Sequence, residues 1–412
     1  MQNLTVCFNM NRLSVEDILM QSLKKIVGFF VISRNEKSNC KKLDSSLHFV
    51  PFRMTGKYLL LFLFMCFSGI GQENWSASLQ TYQGAILPHS ENIAHLITNK
   101  PTGFLFSVNH KVNGSKEWHH TYRFPEVGFS FHTQNNHNET LGDLYGLYAH
   151  YNFYFLNRRL QFRVGQGVSY ATNPFDKETN FRNVAYGSKF MPSTYFMLGY
   201  DQPRIWHNIG INAGLLFVHH SNATIKAPNT STNTLGVNVG LTYHFSDDDQ
   251  SSKANSFVDH PQQIRYNLLF RTGVNESHII GMGQKPFYHI TAIVEKPLNN
   301  YGAAQLGAEV FLSNSLKELI PFLATSFPEE GMDNNTDWKR VGVFVGYEWY
   351  LNKLTAEGNI GYYVHDEFKK NGSLYQRLGL RYYITPNIFG VMALKTHFAK
   401  AEAFEVGVGY KL

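Results

Sequence analysis

Apolar and polar residues alternate along most of the chain beyond residue 75, in segments of about ten residues. In the last segment the apolar members are Phe404, Val406, Val408 and Tyr410, and glycine or a charged residue lies between each pair. A period of two predicts β-strands with one apolar and one polar face. The candidate strands cover residues 77–86, 102–112, 124–133, 143–156, 159–171, 193–202, 208–221, 234–246, 262–274, 286–296, 303–313, 338–351, 354–365, 374–385, 387–398 and 402–412.

This pattern favours a transmembrane antiparallel β-barrel over a soluble β-sandwich. The polar face carries Gly, Arg, Glu and Gln, which suits a wet interior, and aromatic residues gather near the segment ends. The chain ends on a strand with Tyr410 and Leu412, close to the signal read by the barrel assembly machinery of outer membranes. Because bacterial barrels have even strand numbers, we expect one all-β barrel of about 14 strands, with 12 or 16 as alternatives. Residues 246–260 and 328–337 are predicted loops, and residues 315–322 a short helical turn.

The N-terminal region differs from the rest of the chain. Residues 1–53 carry a net charge of +4, and a basic stretch around Lys57 then precedes an apolar run from Tyr58 to Phe67. Small residues, Gly69 and Gly71, then occupy positions −3 and −1 of an expected cleavage site near Gly71, so the region is typical of a secretory signal peptide and too short for a membrane helix. We therefore expect residues 1–71 to be an extension plus signal peptide, with Met54 as the true start, and residues 72–412 to form the exported barrel.

Export changes the global composition. The formal charge of +6 falls to +2 without residues 1–53 and to +1 without Lys57, so the charge does not indicate a nucleic-acid partner. All three cysteines, Cys7, Cys40 and Cys66, precede the expected cleavage site. The exported chain would have no disulfide framework and no thiolate metal site.

Candidate chemistry lies in the hairpin predicted over residues 208–246. His219 and Ser221 continue the odd-numbered series of the apolar residues Leu215 and Phe217, so parity places a base and a hydroxyl on the apolar face. If residues 222–232 form the hairpin loop, Asn233 lies beside that end of the neighbouring strand. A polar group on a lipid-facing surface is costly without a purpose, and Ser, His and a polar orienter are the parts of an acyl-transfer triad. His220 faces the interior by parity and receives no catalytic role.

The run His219-His220-Ser221-Asn222-Ala223, with Ile225-Lys226 and Pro228-Asn229, resembles the lipid A 3-O-deacylase family and its acyloxyacyl-hydrolase-like relatives in Gram-negative outer membranes. The upstream residues 170–176, Asn183 and Gly187-Ser188 are similar to the bacteroidete branch of that group. The resemblance covers about residues 100–246. The remaining residues imply a barrel larger than the eight strands of the family's small members.

The resemblance implies an esterase that removes a 3-O-linked acyl chain from lipid A, the lipid anchor of lipopolysaccharide, in the outer leaflet. Ser221 would attack the ester carbonyl and His219 would accept its proton, with backbone N–H groups after Ser221 as oxyanion donors. Asn222 and Asn229 are possible helpers in that site, with turn formation as the alternative explanation.

The third triad position departs from the deacylases, which usually carry Glu where this chain has Asn233. The outer-membrane phospholipase A family uses an Asn at that spacing, which makes a phospholipase the first alternative. A non-catalytic, porin-like barrel is the second.

No cofactor and no metal site are predicted. Trp118-His119-His120 with His132 and His137 match no familiar set of metal ligands, and Asp247-Asp248-Asp249 is typical of a solvated loop.

Overall fold

The computed structural model describes residues 74–246, 263–398 and 400–412. Sixteen strands lie in this part of the chain, and each corresponds to one predicted segment. The first eight are β1 (Trp75–Ile86), β2 (Thr102–Lys111), β3 (Glu126–Asn135), β4 (Asp143–Phe155), β5 (Leu160–Ala171), β6 (Phe190–Trp206), β7 (Ile209–His220) and β8 (Thr232–His244). The others are β9 (Arg265–Asn275), β10 (Lys285–Asn299), β11 (Gly302–Ser313), β12 (Lys339–Leu351), β13 (Leu354–His365), β14 (Leu374–Tyr383), β15 (Ile388–His397) and β16 (Lys400–Lys411).

These strands close into two separate antiparallel barrels of eight strands each. β1 pairs with β8 to close the N-terminal barrel, and β16 pairs with β9 to close the C-terminal barrel. The predicted single barrel of about 14 strands is therefore wrong, although the all-β barrel class is confirmed. Periodicity predicts which residues share a face of a strand, but it does not predict which distant strand pairs with the first one to close the barrel.

The faces of the strands follow the alternation. On β7, Asn212 and Val218 point into the barrel and are buried, whereas Ile211 and Leu215 point outward and are exposed. The outward face is apolar and the inward face is largely polar, which is the reverse of a water-soluble barrel.

The N-terminal barrel is filled by a network of polar side chains. Arg163 is buried and donates to the Ser107 hydroxyl (2.7 Å) and to the side-chain oxygens of Asn152 (2.6 Å) and Asn109 (3.2 Å). Eight strands leave an interior that side chains can just fill, so these residues occupy the lumen.

The C-terminal barrel is filled by buried ion pairs. Arg377 is fully buried between Glu405 (Nε to Oε2, 2.7 Å) and Glu309 (Nη1 to Oε2, 2.8 Å). Arg381 pairs in the same way with Glu295 (2.7 Å) and Glu357 (2.6 Å). Each guanidinium thus neutralises carboxylates from several strands, and each of these buried charges has a partner of opposite sign.

Two short helices lie outside the barrel walls: α1 (Glu117–Thr121) and α2 (Asn314–Ser326), the latter at the predicted helical turn. Two 3₁₀ segments, Glu91–Leu96 and Pro328–Glu330, complete the described elements. Among the described residues, no helix has the length and apolar character needed to cross a membrane. The predicted signal peptide, the proposed start at Met54, the three cysteines and Asp247–Asp249 lie outside the described residues.

Candidate active site

His219 and Asn233 form the centre of the candidate site. They are directly opposed in the β7–β8 register, and Nδ1 of His219 lies 2.6 Å from Oδ1 of Asn233. An amide oxygen only accepts hydrogen bonds, so Nδ1 of the imidazole donates and Nε2 keeps its lone pair. That tautomer is the one a general base needs.

The pair belongs to a row of polar residues on the outward face of the barrel. Gln166 on β5 opposes Thr194 on β6, and Thr194 opposes His219. The Thr194 hydroxyl donates to Oε1 of Gln166 (2.6 Å). Four adjacent strands therefore present polar side chains at one level of an otherwise apolar wall, where polar groups are costly.

Gln166 and Thr194 were not predicted from the sequence as site residues. The outward positions of β5 are apolar at Phe162, Val164 and Val168, and Gln166 is the one interruption of that series. The sequence feature that indicates Gln166 is therefore a polar residue at a position where the period-two pattern requires an apolar one.

Ser221 lies just beyond the end of β7, in the loop that joins it to β8. Its side chain is buried, with 5% of the residue exposed, and not displayed on the outward face as parity predicted. Strand parity does not extend past His220, because the backbone leaves the strand there. Among the described hydrogen bonds, none joins the Ser221 hydroxyl to the His219 imidazole, and the hydroxyl instead contacts the Asn229 side chain and the backbone N–H of Ala223.

Two N–H donors converge on the Ser221 hydroxyl. Nδ2 of Asn229 and the backbone N–H of Ala223 each lie 3.0 Å from Oγ. Donors in this position can stabilise an oxyanion that forms on a carbonyl bonded to Oγ. Asn222 acts differently, because its Nδ2 donates to the Lys226 carbonyl (2.6 Å) and closes the turn.

The loop backbone after the serine is held in a rarely populated conformation. Ala223 and Thr224 have φ of 53° and 62°, and Ser231 at the other end of the loop has φ of 66°. The left-handed region is unfavourable for residues other than glycine, most of all for a β-branched threonine. Such a turn persists only where surrounding contacts hold it.

The β5–β6 loop supplies some of those contacts, and Gly187 of the upstream resemblance is one of the residues involved. Backbone N–H groups of Thr230 and Ser231 donate to the carbonyls of Val184 (3.0 Å) and Ala185 (3.1 Å). A Cβ added to Gly187 would lie 2.5 Å from the Pro228 carbonyl oxygen, so only glycine permits this close approach.

Titratable groups of the same loop are also held in place. Burial raises the pKa of the Tyr186 phenol, which hydrogen-bonds to the Thr232 hydroxyl (2.7 Å). The pKa of Asp176 is lowered by hydrogen bonds from the backbone N–H groups of Thr179 and Glu178 and from the Thr179 hydroxyl. Asp176 thus stabilises its own turn as an ionised carboxylate.

The other histidines considered in the sequence lie apart from this site. His220 points into the barrel and hydrogen-bonds to the hydroxyls of Ser169 (2.9 Å) and Ser193 (3.1 Å). His119 and His120 lie on α1, and His132 is buried inside the N-terminal barrel. Over residues 74–246, 263–398 and 400–412, His, Cys, Asp and Glu side chains form no cluster of metal-binding geometry.

Two protein families match this chain, and their matches cover more of the sequence than the β7–β8 hairpin. Residues 102–242 match the family described as Lipid A 3-O-deacylase (PagL), and residues 264–412 match the family described as Acyloxyacyl hydrolase, C-terminal domain. No curated protein matches the chain significantly.

Among solved structures, neisserial surface protein A aligns with 12% identity and a TM-score of 0.27, over 42% of this chain and 99% of its own. A mutant porin of Rhodopseudomonas blastica aligns with 9% identity and a TM-score of 0.19, over 82% of this chain and 99% of its own. The two family matches together span well over half of the sequence, one on each barrel. The chain belongs to the lipid A 3-O-deacylase family of outer-membrane β-barrel hydrolases, with the acyloxyacyl hydrolase C-terminal domain as its second barrel.

Proposed function

We propose that this protein is a serine esterase that removes a 3-O-linked acyl chain from lipid A through Ser221, His219 and Asn233. The observation that carries the proposal is the hydrogen-bonded His219–Asn233 pair on the outward wall, two residues from a serine that two N–H donors surround. Family membership supplies the substrate class.

The proposed reaction begins when the Ser221 side chain rotates toward Nε2 of His219. His219 takes the hydroxyl proton as Oγ bonds to the ester carbonyl carbon, and Asn233 holds the imidazole through Nδ1. The amide of Asn229 and the N–H of Ala223 stabilise the oxyanion. Collapse of the intermediate breaks the bond to the sugar oxygen, which takes the proton from His219. A water molecule then gives a proton to His219 and attacks the acyl carbonyl, and the Ser221 oxygen takes that proton as the fatty acid leaves.

The serine loop lies at one end of the N-terminal barrel, the end that carries most of the longer connections. It shares that end with the connections at residues 87–101, 136–142 and 172–189, whereas the opposite end carries the short turns 156–159 and 207–208 and one longer connection, residues 112–125. Outer-membrane barrels have short periplasmic turns and longer extracellular loops. The serine would then lie at the level of the outer leaflet, where an ester of lipid A approaches sideways from the bilayer.

The filled interiors weigh against the porin alternative. Arg163 occupies the N-terminal lumen and Arg377 the C-terminal lumen, both within dense hydrogen-bond networks. Conduction through either eight-stranded barrel would require those networks to break. The phospholipase alternative is favoured by one observation, the amide at position 233 in place of a carboxylate.

Lipid mass spectrometry separates these functions. The full chain is expressed in a Gram-negative host that has 3-O-hydroxyacylated lipid A and no deacylase of its own. We expect a lipid A species that lacks one hydroxyacyl chain, absent from the host with empty vector. Unchanged lipid A with new lysophospholipid would establish the phospholipase instead, and no change in either lipid would contradict both enzymes.

Asn233 can be tested by exchanging its side chain. Asn233→Leu removes the acceptor for Nδ1–H of His219, and we expect kcat to fall about 100-fold because the imidazole loses its orientation. Asn233→Glu keeps an acceptor and adds a charge that stabilises the imidazolium, so kcat should equal or exceed that of the wild type. The measurement is the initial rate of acyl release from purified lipid A in detergent.

Val237→Ala is the matched control for these variants, since it changes an outward residue of the same strand away from the site. It should leave the rate unchanged. A wild-type kcat in Asn233→Leu would exclude Asn233 from the triad.

A further inference from the structure

The C-terminal barrel contacts the serine loop through a small set of hydrogen bonds. The backbone N–H of Glu276 donates to the Thr224 carbonyl (2.8 Å), and the Ala227 N–H donates to Oε2 of Glu276 (2.9 Å). Nε2 of Gln284 donates to the Ile225 carbonyl (2.8 Å). These partners belong to the β9–β10 loop, residues 276–284, which we call the clamp loop.

Glu276 is fixed within the clamp loop as well as bound to the serine loop. It is buried, and its other carboxylate oxygen accepts backbone hydrogen bonds from Gly281 (3.3 Å) and Gly283 (3.0 Å). One side chain therefore ties the turn of the clamp loop to the backbone of the serine loop. A carboxylate that accepts several N–H groups at once is a rigid connection, because each charged hydrogen bond restricts the others.

The hydrogen bonds from the C-terminal barrel reach the part of the serine loop whose backbone conformation is least favourable. Thr224 has a φ of 62°, and its carbonyl and hydroxyl both bond to the C-terminal barrel, the hydroxyl to the backbone carbonyl of Glu402. The N-terminal barrel supports the other part of the loop, at Thr230 and Ser231. A left-handed threonine is unfavourable by itself, so the external hydrogen bonds select this turn.

The turn at Ala223 and Thr224 determines the oxyanion donors. Ala223 supplies the N–H that reaches Ser221, and Ala227 lies two residues before Asn229, the second donor. Displacement of the segment between them would move both donors relative to Oγ. Misplacement by about 1 Å can lower a rate about 100-fold.

We propose that the C-terminal barrel is a positioning domain for the serine loop, with Glu276 as its main positioning residue. The proposal rests on the function proposed above. Glu276 touches neither the serine nor the expected position of the substrate, and it acts through the backbone of Thr224 and Ala227. The barrel that lacks the candidate triad is then required for the full rate of the other barrel.

This role predicts a particular kinetic signature. The oxyanion donors bind charge that develops in the transition state, whereas the acyl chains of the substrate lie against the outer wall. Loss of the clamp should therefore lower kcat and leave KM almost unchanged. A role in substrate binding would raise KM instead.

The test compares Glu276→Ala and Glu276→Gln with the wild type as full-length protein in detergent, using purified 3-O-acylated lipid A. We expect kcat to fall about 30-fold in Glu276→Ala and about 5-fold in Glu276→Gln, which retains one amide oxygen as acceptor, with KM changed by less than about 2-fold. Glu318→Ala is the matched control. This glutamate of α2 pairs with Lys285 near the same loop and has no bond to residues 221–231 among the described contacts, so its rate should equal that of the wild type.

The outcomes separate this proposal from the one it rests on. An active wild type whose Glu276→Ala variant keeps its kcat overturns the positioning role and leaves the esterase intact. An inactive wild type, or a fully active Ser221→Ala variant, overturns the esterase itself.

Folding is checked by the heat-dependent mobility of the barrels in gel electrophoresis. If Glu276→Ala does not fold, Glu276→Gln and Gln284→Ala decide the question, because the latter removes only the hydrogen bond to Ile225. Wild-type kcat in both would overturn the proposal, and a fall in kcat with unchanged KM in folded protein would support it.

Discussion

Ser221→Ala is expected to lower the rate of acyl release from lipid A by at least about 10⁴-fold, because the proposed mechanism forms its acyl-enzyme on the Ser221 hydroxyl. The substitution removes one oxygen and keeps the loop backbone, so the barrel should remain folded. The Asn229 amide and the Ala223 N–H lose a partner, and the loop contacts with Val184, Ala185 and the C-terminal barrel are unaffected. Lipid A from cells that express the variant should carry its full set of acyl chains.

The matched control is Ser231→Ala, which removes a hydroxyl from the same loop at a position away from the oxyanion donors. Its hydroxyl contacts only the imidazole of His89 among the described hydrogen bonds (3.3 Å), so we expect at least half of the wild-type rate. A lipophilic fluorophosphonate gives a second measurement, since it should label the wild type and Ser231→Ala but not Ser221→Ala. Equal acyl release by the wild type and Ser221→Ala would refute the serine mechanism.

Arg377→Met is expected to destabilise the C-terminal barrel by about 3–5 kcal/mol, the usual cost of breaking a buried ion pair by removing one partner. The guanidinium makes hydrogen bonds to both Glu309 and Glu405 inside the barrel. Its loss leaves two buried carboxylates with less positive charge beside them. The measurement is the free energy of unfolding in urea, with the protein in detergent micelles.

The double variant Arg377→Met with Glu309→Gln tests whether the cost comes from unpaired charge. The Glu309→Gln exchange keeps an acceptor for the Thr291 hydroxyl, which now donates to Glu309 (3.0 Å), and Glu405 keeps His289 (2.8 Å) as a partner. We expect the double variant to regain at least half of the lost stability, because charge balance is restored. A double variant less stable than Arg377→Met would show that packing, not charge, sets the cost.

Much of the site depends on local patterns, and those were visible in the sequence. The sixteen predicted segments match the sixteen strands, and the hairpin predicted over residues 208–246 is formed by β7 and β8. Its register places Asn233 opposite His219, as the loop length implied. Local patterns do not extend to Ser221, because the strand ends at His220 and the loop buries the hydroxyl beside Asn229.

The sequence by itself determined the strands, the face on which each side chain lies, and the pairing of neighbours through short turns. All of these follow from the alternation of side chains along an extended backbone, which is a local property. Only the tertiary structure decided that the sheet closes after eight strands and again after eight more, since β1 with β8 and β9 with β16 pair residues far apart in the chain. It also decided that Glu276 reaches the serine loop, because that contact joins residues of two different barrels, 49 positions apart in the chain. Barrel closure and long-range contacts depend on which distant segments pack together. The periodicity within one strand does not determine that pairing.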